Sequence, residues 1–129
     1  QYIDIDFYVR GCPINKNEFT FIVKQLLLGK KPEMFESPVC SECRENENEC
    51  VLLNGGFCMG PVTRGGCEAI CTSNGGFCEG CRGPTEDGNF KAHIDLLKKN
   101  GIKREELKRL YIKFAGNKLH KHVKNGKKK

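Results

Sequence analysis

Apolar and polar residues alternate along Tyr2-Ile3-Asp4-Ile5-Asp6-Phe7-Tyr8-Val9, and this period of two predicts a β-strand ending at Arg10-Gly11-Cys12-Pro13. The period then lengthens. Phe19, Ile22, Val23, Leu26 and Leu27 fall on one face of a helix, with Asn15 or Asn17 as cap and Gly29 as stop. Lys30-Lys31-Pro32 and Ser37-Pro38 read as a linker. From 36 to 87 neither period holds. Nine of the 15 glycines lie between Gly55 and Gly83, which predicts irregular backbone. Helical spacing returns at Phe90, Ile94 and Leu97, closed by Asn100-Gly101. It recurs at Leu107, Leu110, Tyr111 and Phe114, ending near Gly116.

The pattern divides the chain into four parts: 1–35, one strand–helix unit; 36–87, an irregular segment; 88–116, a helical hairpin; and 117–129, a basic tail. One strand and one helix do not make a sheet domain. With Gln rather than Met at position 1, the expectation is that further strands precede Gln1, absent from this chain, lost through cleavage or supplied by a separate chain. The hairpin is expected to dock on the irregular segment or on a partner.

Cysteine changes the picture. Eight of the nine cysteines lie between Cys40 and Cys81, as Cys40-x2-Cys43-x6-Cys50-x7-Cys58 and Cys67-x3-Cys71-x6-Cys78-x2-Cys81. The segment is poor in large apolar residues, so it needs cross-links to hold its shape. An odd thiol count, no visible signal peptide and two Cys-x2-Cys pairs favour metal over disulfides. A short repeat runs through it: Asn54-Gly55-Gly56-Phe57-Cys58-Met59-Gly60 recurs as Asn74-Gly75-Gly76-Phe77-Cys78-Glu79-Gly80.

The net charge of +6 points first to nucleic acid, but its distribution argues against that partner. The tail from Asn117 holds six lysines and no acid, and reads as a solvated, disordered end. The segment 36–87 carries nine acids against Arg44, Arg64 and Arg82, a balance that would repel phosphate. No apolar run approaches the roughly 20 residues of a membrane span, and the expected setting is cytoplasmic.

Zinc and iron–sulfur clusters both accept four thiolates, so ligand type does not separate them. The longer intervals suit a bulky cubane wrapped by loops. Gly-Gly before Cys58, Cys67 and Cys78 lets backbone N–H groups approach its sulfurs. The same glycines would serve as turns in a zinc-bound knot, and a zinc-stabilised interaction module with a basic tail is the rival reading. Sequential ligation, Cys40 to Cys58 and Cys67 to Cys81, is the simplest partition; interleaved ligation stays open. Cys12, after a strand and before a helix, is either a ligand or a small buried hydrophobe. Arg44, Arg64 and Arg82 would either ease reduction of an anionic cluster or make surface salt bridges. His93 reads as a surface or interface residue, and His120 and His122 lie in the tail.

Together, Tyr8-Val9-Arg10-Gly11-Cys12-Pro13, Leu26-Leu27-Leu28-Gly29-Lys30-Lys31-Pro32, Thr63-Arg64-Gly65-Gly66-Cys67-Glu68-Ala69-Ile70-Cys71 and Cys78-Glu79-Gly80-Cys81-Arg82-Gly83-Pro84 resemble a known family. They are similar to the C-terminal part of the small, electron-transfer subunit of cytoplasmic nickel–iron hydrogenases. The types meant are deazaflavin-reducing, heterodisulfide-reductase-linked and sulfhydrogenase. The resemblance covers about residues 2–116. It implies an α/β remnant, the last strand–helix unit of a flavodoxin-like domain, followed by the two-cluster segment and the hairpin. It implies Cys12 as last ligand of a proximal 4Fe–4S cluster, Cys67, Cys71, Cys78 and Cys81 as the medial set, and Cys40, Cys43, Cys50 and Cys58 as the distal set. Its implied partners are a nickel–iron catalytic large subunit and an electron-acceptor subunit, either a flavin or an iron–sulfur protein. Arg10 and Ile14 stand where that family often has proline, and the other proximal ligands are absent from this chain.

Overall fold

The structure, a computed structural model, describes residues 3–113. Five helices punctuate it: α1 (Lys16–Leu27), α2 (Val39–Glu45), α3 (Ile70–Ser73), α4 (Phe90–Lys99) and α5 (Arg104–Lys113). The basic tail and the end of the hairpin near Gly116 lie outside the described residues.

The helix ends follow local chemistry. Asn15 caps α1, its side-chain oxygen accepting the N–H groups of Asn17 at 2.9 Å and Glu18 at 3.1 Å. At the other end Gly29 turns left-handed, with φ +67°. Its N–H donates to Leu26 O, and Lys30 N–H donates to Gln25 O at 2.9 Å, which satisfies two orphan carbonyls. α4 repeats the device. Asn89 accepts from Ala92 N–H, Gly101 has φ +82°, and Ile102 N–H returns to Leu97 O at 3.0 Å.

The expected strand over Tyr2–Val9 does not form among the described residues. Residues 3–9 run without ladder pairing, and the described β-pairing consists of two isolated antiparallel bridges, Pro38 with Arg64 and Thr63 with Pro84. Alternation supplies faces to a strand, but only a neighbouring edge supplies its hydrogen bonds. The apolar face of α1 is correspondingly open: Ile22 is buried, while Phe19 and Leu26 are exposed and Leu27 is 83% exposed.

The core sits between the cysteine segment and the hairpin. Val39, Leu52, Met59, Val62 and Ala69 form one buried cluster with Phe90, Leu97, Leu107 and Tyr111. Of the two docking surfaces expected for the hairpin, the cysteine segment is the one observed. Asn100, the C-terminal cap of α4, fastens it there by donating to the carbonyls of Leu52 and Gly56, both at 2.9 Å. The segment is not wholly irregular, since α2, α3 and a 3₁₀ turn at Gly60–Val62 interrupt it.

Candidate metal centre

The sequence repeat is a repeat of backbone geometry. Gly55 and Gly75 both have φ +77°, a conformation that glycine adopts without the Cβ penalty. Gly56 N–H donates to Val51 O and Gly76 N–H to Cys71 O, each at 2.9 Å, so both turns close five residues back. The two turns face one another. The rings of Phe57 and Phe77 meet edge to face at 5.3 Å, and Met59 N–H donates to Cys78 O at 2.8 Å.

These turns bring thiols together. Cys43, Cys50 and Cys58 neighbour Cys40, whose pKa is pushed up to about 12 by burial first and then by those three thiols. The approach is tight. A methyl group on Gly60 would stand 3.1 Å from Cys40 Sγ and 3.4 Å from Cys58 Sγ. Cys67, Cys71, Cys78 and Cys81 line a second region, a cavity of about 340 Å³ that also touches Val39, Thr63, Ala69 and Arg82. Cys12 lies on the wall of this same cavity and is otherwise exposed. All nine cysteines are free thiols. Among the described residues, no three His, Cys, Asp or Glu side chains are arranged to hold a single metal ion.

Backbone amides point at the sulfurs. Cys58 Sγ accepts the N–H of Gly60 at 3.5 Å and that of Cys78 at 3.3 Å. Burial raises the Cys58 pKa, and these two donors partly offset it by favouring the thiolate. Cys67 is raised in the same way by burial, with the Ala69 N–H pulling it back. Burial pushes Cys78 up to about 12, against the Gly80 N–H. Burial alone favours the neutral thiol, so these groups would ionise only beside a cationic partner. The donor set, the cavity and the aimed amides fit a polynuclear iron–sulfur group.

Three charged or polar residues close to the thiols are buried: Arg82 and His93, for each of which the sequence allows a surface role, and Glu42, which no sequence signal marks. Arg82 is 1% exposed, not a surface residue. It donates to Glu18 of α1 through both terminal nitrogens, to Arg10 O at 2.9 Å and to Gly65 O. Glu42 is buried on α2, where its carboxylate accepts Gly66 N–H at 2.7 Å and lies 3.8 Å from Cys67 Sγ. His93 is 3% exposed and bonded at both ring nitrogens. Its helical spacing with Phe90 and Leu97 is the signal that marks it for the inner face, against the reading of a surface residue.

Comparison with known proteins decides the kinship. The chain is 43% identical over 116 residues to the delta chain of sulfhydrogenase 2 from Pyrococcus furiosus, covering 89% of this chain and 48% of that protein. The chain belongs to the family of these hydrogenase subunits. Two further relatives agree. The iron–sulfur subunit of the F420-non-reducing hydrogenase of Archaeoglobus profundus is 30% identical over 123 residues, 71% of this chain and 38% of that protein. A vhu subunit of the F420-non-reducing hydrogenase of Methanococcus voltae is 32% identical over 103 residues, 66% of this chain and 36% of that protein. This hydrogenase-subunit homologue therefore spans half or less of the length of the curated relatives it matches. No protein-family model matches it. No helix among the described residues is long and apolar enough to cross a membrane.

Proposed function

We propose that this chain is the electron-transfer module of a nickel–iron hydrogenase, carrying 4Fe–4S clusters between a catalytic large subunit and an electron-acceptor subunit. The observation that carries the reading is the cavity of about 340 Å³ lined by Cys67, Cys71, Cys78 and Cys81, with Cys12 on its wall, among described residues that include no three such side chains arranged to hold a single ion. Cys40, Cys43, Cys50 and Cys58 would hold a second cluster, and Cys12 would contribute one ligand to a third. Bound there, such clusters supply one-electron transfer. The iron–sulfur relative from Archaeoglobus profundus supports the same donor chemistry.

The chain's own residues have three tasks in this reading. The apolar cluster around Met59, Val62 and Leu97 keeps water from the inner side of the thiols. Amides of Gly60 and Cys78 stabilise negative charge on Cys58, while beside Cys67 the Arg82 guanidinium, paired with Glu18, works against the Glu42 carboxylate. The open face of α1 suits the remainder of a flavodoxin-like domain, from a preceding segment or a separate chain. Hydrogen chemistry itself falls to the large subunit, and the acceptor is a flavin or iron–sulfur protein. Nine free thiols suit a reducing compartment, and we place the protein in the cytoplasm.

Anaerobic purification tests the reading. The expected protein is brown, absorbs broadly near about 400 nm and carries on the order of eight iron and eight sulfide per chain. A colourless chain with about two zinc would overturn it. A nickel-containing large subunit that co-purifies would establish the partner.

A further inference from the structure

His93 is held at both ring nitrogens by groups from different parts of the chain. Nε2 lies 2.8 Å from Cys58 O, and Nδ1 meets the hydroxyl of Tyr111. A carbonyl only accepts, so Nε2 carries the hydrogen. In the neutral ring Nδ1 then accepts from the Tyr111 O–H. The result is a directed chain, from Tyr111 on α5 through His93 on α4 to the carbonyl of a candidate ligand. His93 is 3% exposed and Tyr111 fully buried, so water does not compete for either bond.

Cys58 O belongs to the peptide that also carries Met59 N–H, and a peptide is planar. That N–H donates to Cys78 O at 2.8 Å, while Cys78 N–H donates back to Cys58 Sγ at 3.3 Å. Turning the Cys58 carbonyl would therefore rotate Met59 N–H away from Cys78. It would also disturb the direction in which Cys58 presents its sulfur.

We infer that His93 is a positioning residue for Cys58, fixing through its carbonyl the orientation of that ligand, with Tyr111 holding the ring in place through Nδ1. The inference rests on the proposed metal-binding role of Cys58. It goes beyond that role by assigning the hairpin a part in tuning one site. A plain core histidine would stabilise the hairpin without favouring one site over the other.

The full-length chain, purified anaerobically, provides the test. His93→Leu removes the donor, His93→Gln keeps an N–H donor at about the same reach on a more flexible stem, and Tyr111→Phe removes only the hydrogen bond that holds the ring at Nδ1. Each is read by metal content and by the potential and paramagnetic resonance spectrum of the site at Cys58, with the other site as internal reference. Loss or shift of the Cys58 site alone in His93→Leu is expected, with partial return in His93→Gln and a smaller shift of the same signal in Tyr111→Phe. Unchanged spectra and potentials in Tyr111→Phe and His93→Gln, or equal changes at both sites, would overturn the inference. If the wild-type chain held two zinc ions, the electron-transfer reading would fail. Positioning would then be read by retention: loss of one of two ions in His93→Leu supports it, and retention of both overturns it.

Discussion

Arg82 Nη1 donates to Glu18 Oε2 at 2.7 Å across 64 residues of sequence, joining α1 to the turn that follows Cys81. The arginine side chain is 1% exposed and the glutamate 15%. Glu18→Ala would leave a buried guanidinium without its counter-charge, at a cost of about 3–5 kcal/mol. Replacing both partners, as Glu18→Leu with Arg82→Met, should recover much of that loss. Chemical denaturation of the metal-loaded protein measures both; equal destabilisation by the single and double variants would contradict this account.

Gly60 and Gly75 should respond differently to alanine. At Gly60 a methyl group would press on Cys40 Sγ at 3.1 Å, and an iron-ligated sulfur cannot yield. Gly60→Ala is therefore expected to abolish or distort the signal of the Cys40–Cys58 site and spare the other. Gly75 has open space around it but φ +77°. Gly75→Ala should cost about 1–2 kcal/mol of stability and leave both spectra intact. Spectral damage from Gly75→Ala alone would reverse this assignment.

The partition of thiols is separable by single substitutions. Cys43→Ala and Cys78→Ala should each remove a different paramagnetic resonance signal. One signal lost in both variants would mean interleaved ligation.

Asn100 donates to two carbonyls of the first turn, Leu52 O and Gly56 O. Asn100→Ala removes the donor to Gly56 O and leaves Leu52 O with the Gly55 N–H alone at 3.3 Å, at a cost of about 1–3 kcal/mol. Faster amide exchange in residues 90–99 would show the hairpin loosening from the cysteine segment. Unchanged exchange would assign its docking to the apolar contacts alone.

Helices α1, α4 and α5 were legible because their signals are local, whereas α2 and α3 interrupt a segment expected to be irregular. Asn15, Gly29 and Gly101 act within a few residues of where they stand. The repeated Asn-Gly-Gly-Phe-Cys turns were visible for the same reason. Arg82 was hidden because its partner is remote, Glu18 lying 64 residues away. The burial of His93 follows from its spacing with Phe90 and Leu97, and only its bond to Cys58, 35 residues off, was out of local reach. Nothing near Arg82 in sequence announces a carboxylate on α1. The strand at 2–9 failed for a related reason, since alternation describes one strand and a ladder takes two. Charge counting located the acidic segment but not Glu42, whose burial depends on Gly66 folding back over it.

The amide of Cys78 that points at Cys58 Sγ makes the backbone of one thiol group part of the immediate surroundings of the other. Charge added beside Cys58 strengthens that bond and polarises the peptide leading into Cys78. Were a cluster held at each, as proposed, the two would not be independent cells, and an electron added to one would change the voltage at which its neighbour takes the next. A stepwise reductive titration should spread wider than two separate one-electron curves, so that the pair acts as a small capacitor as well as a conductor.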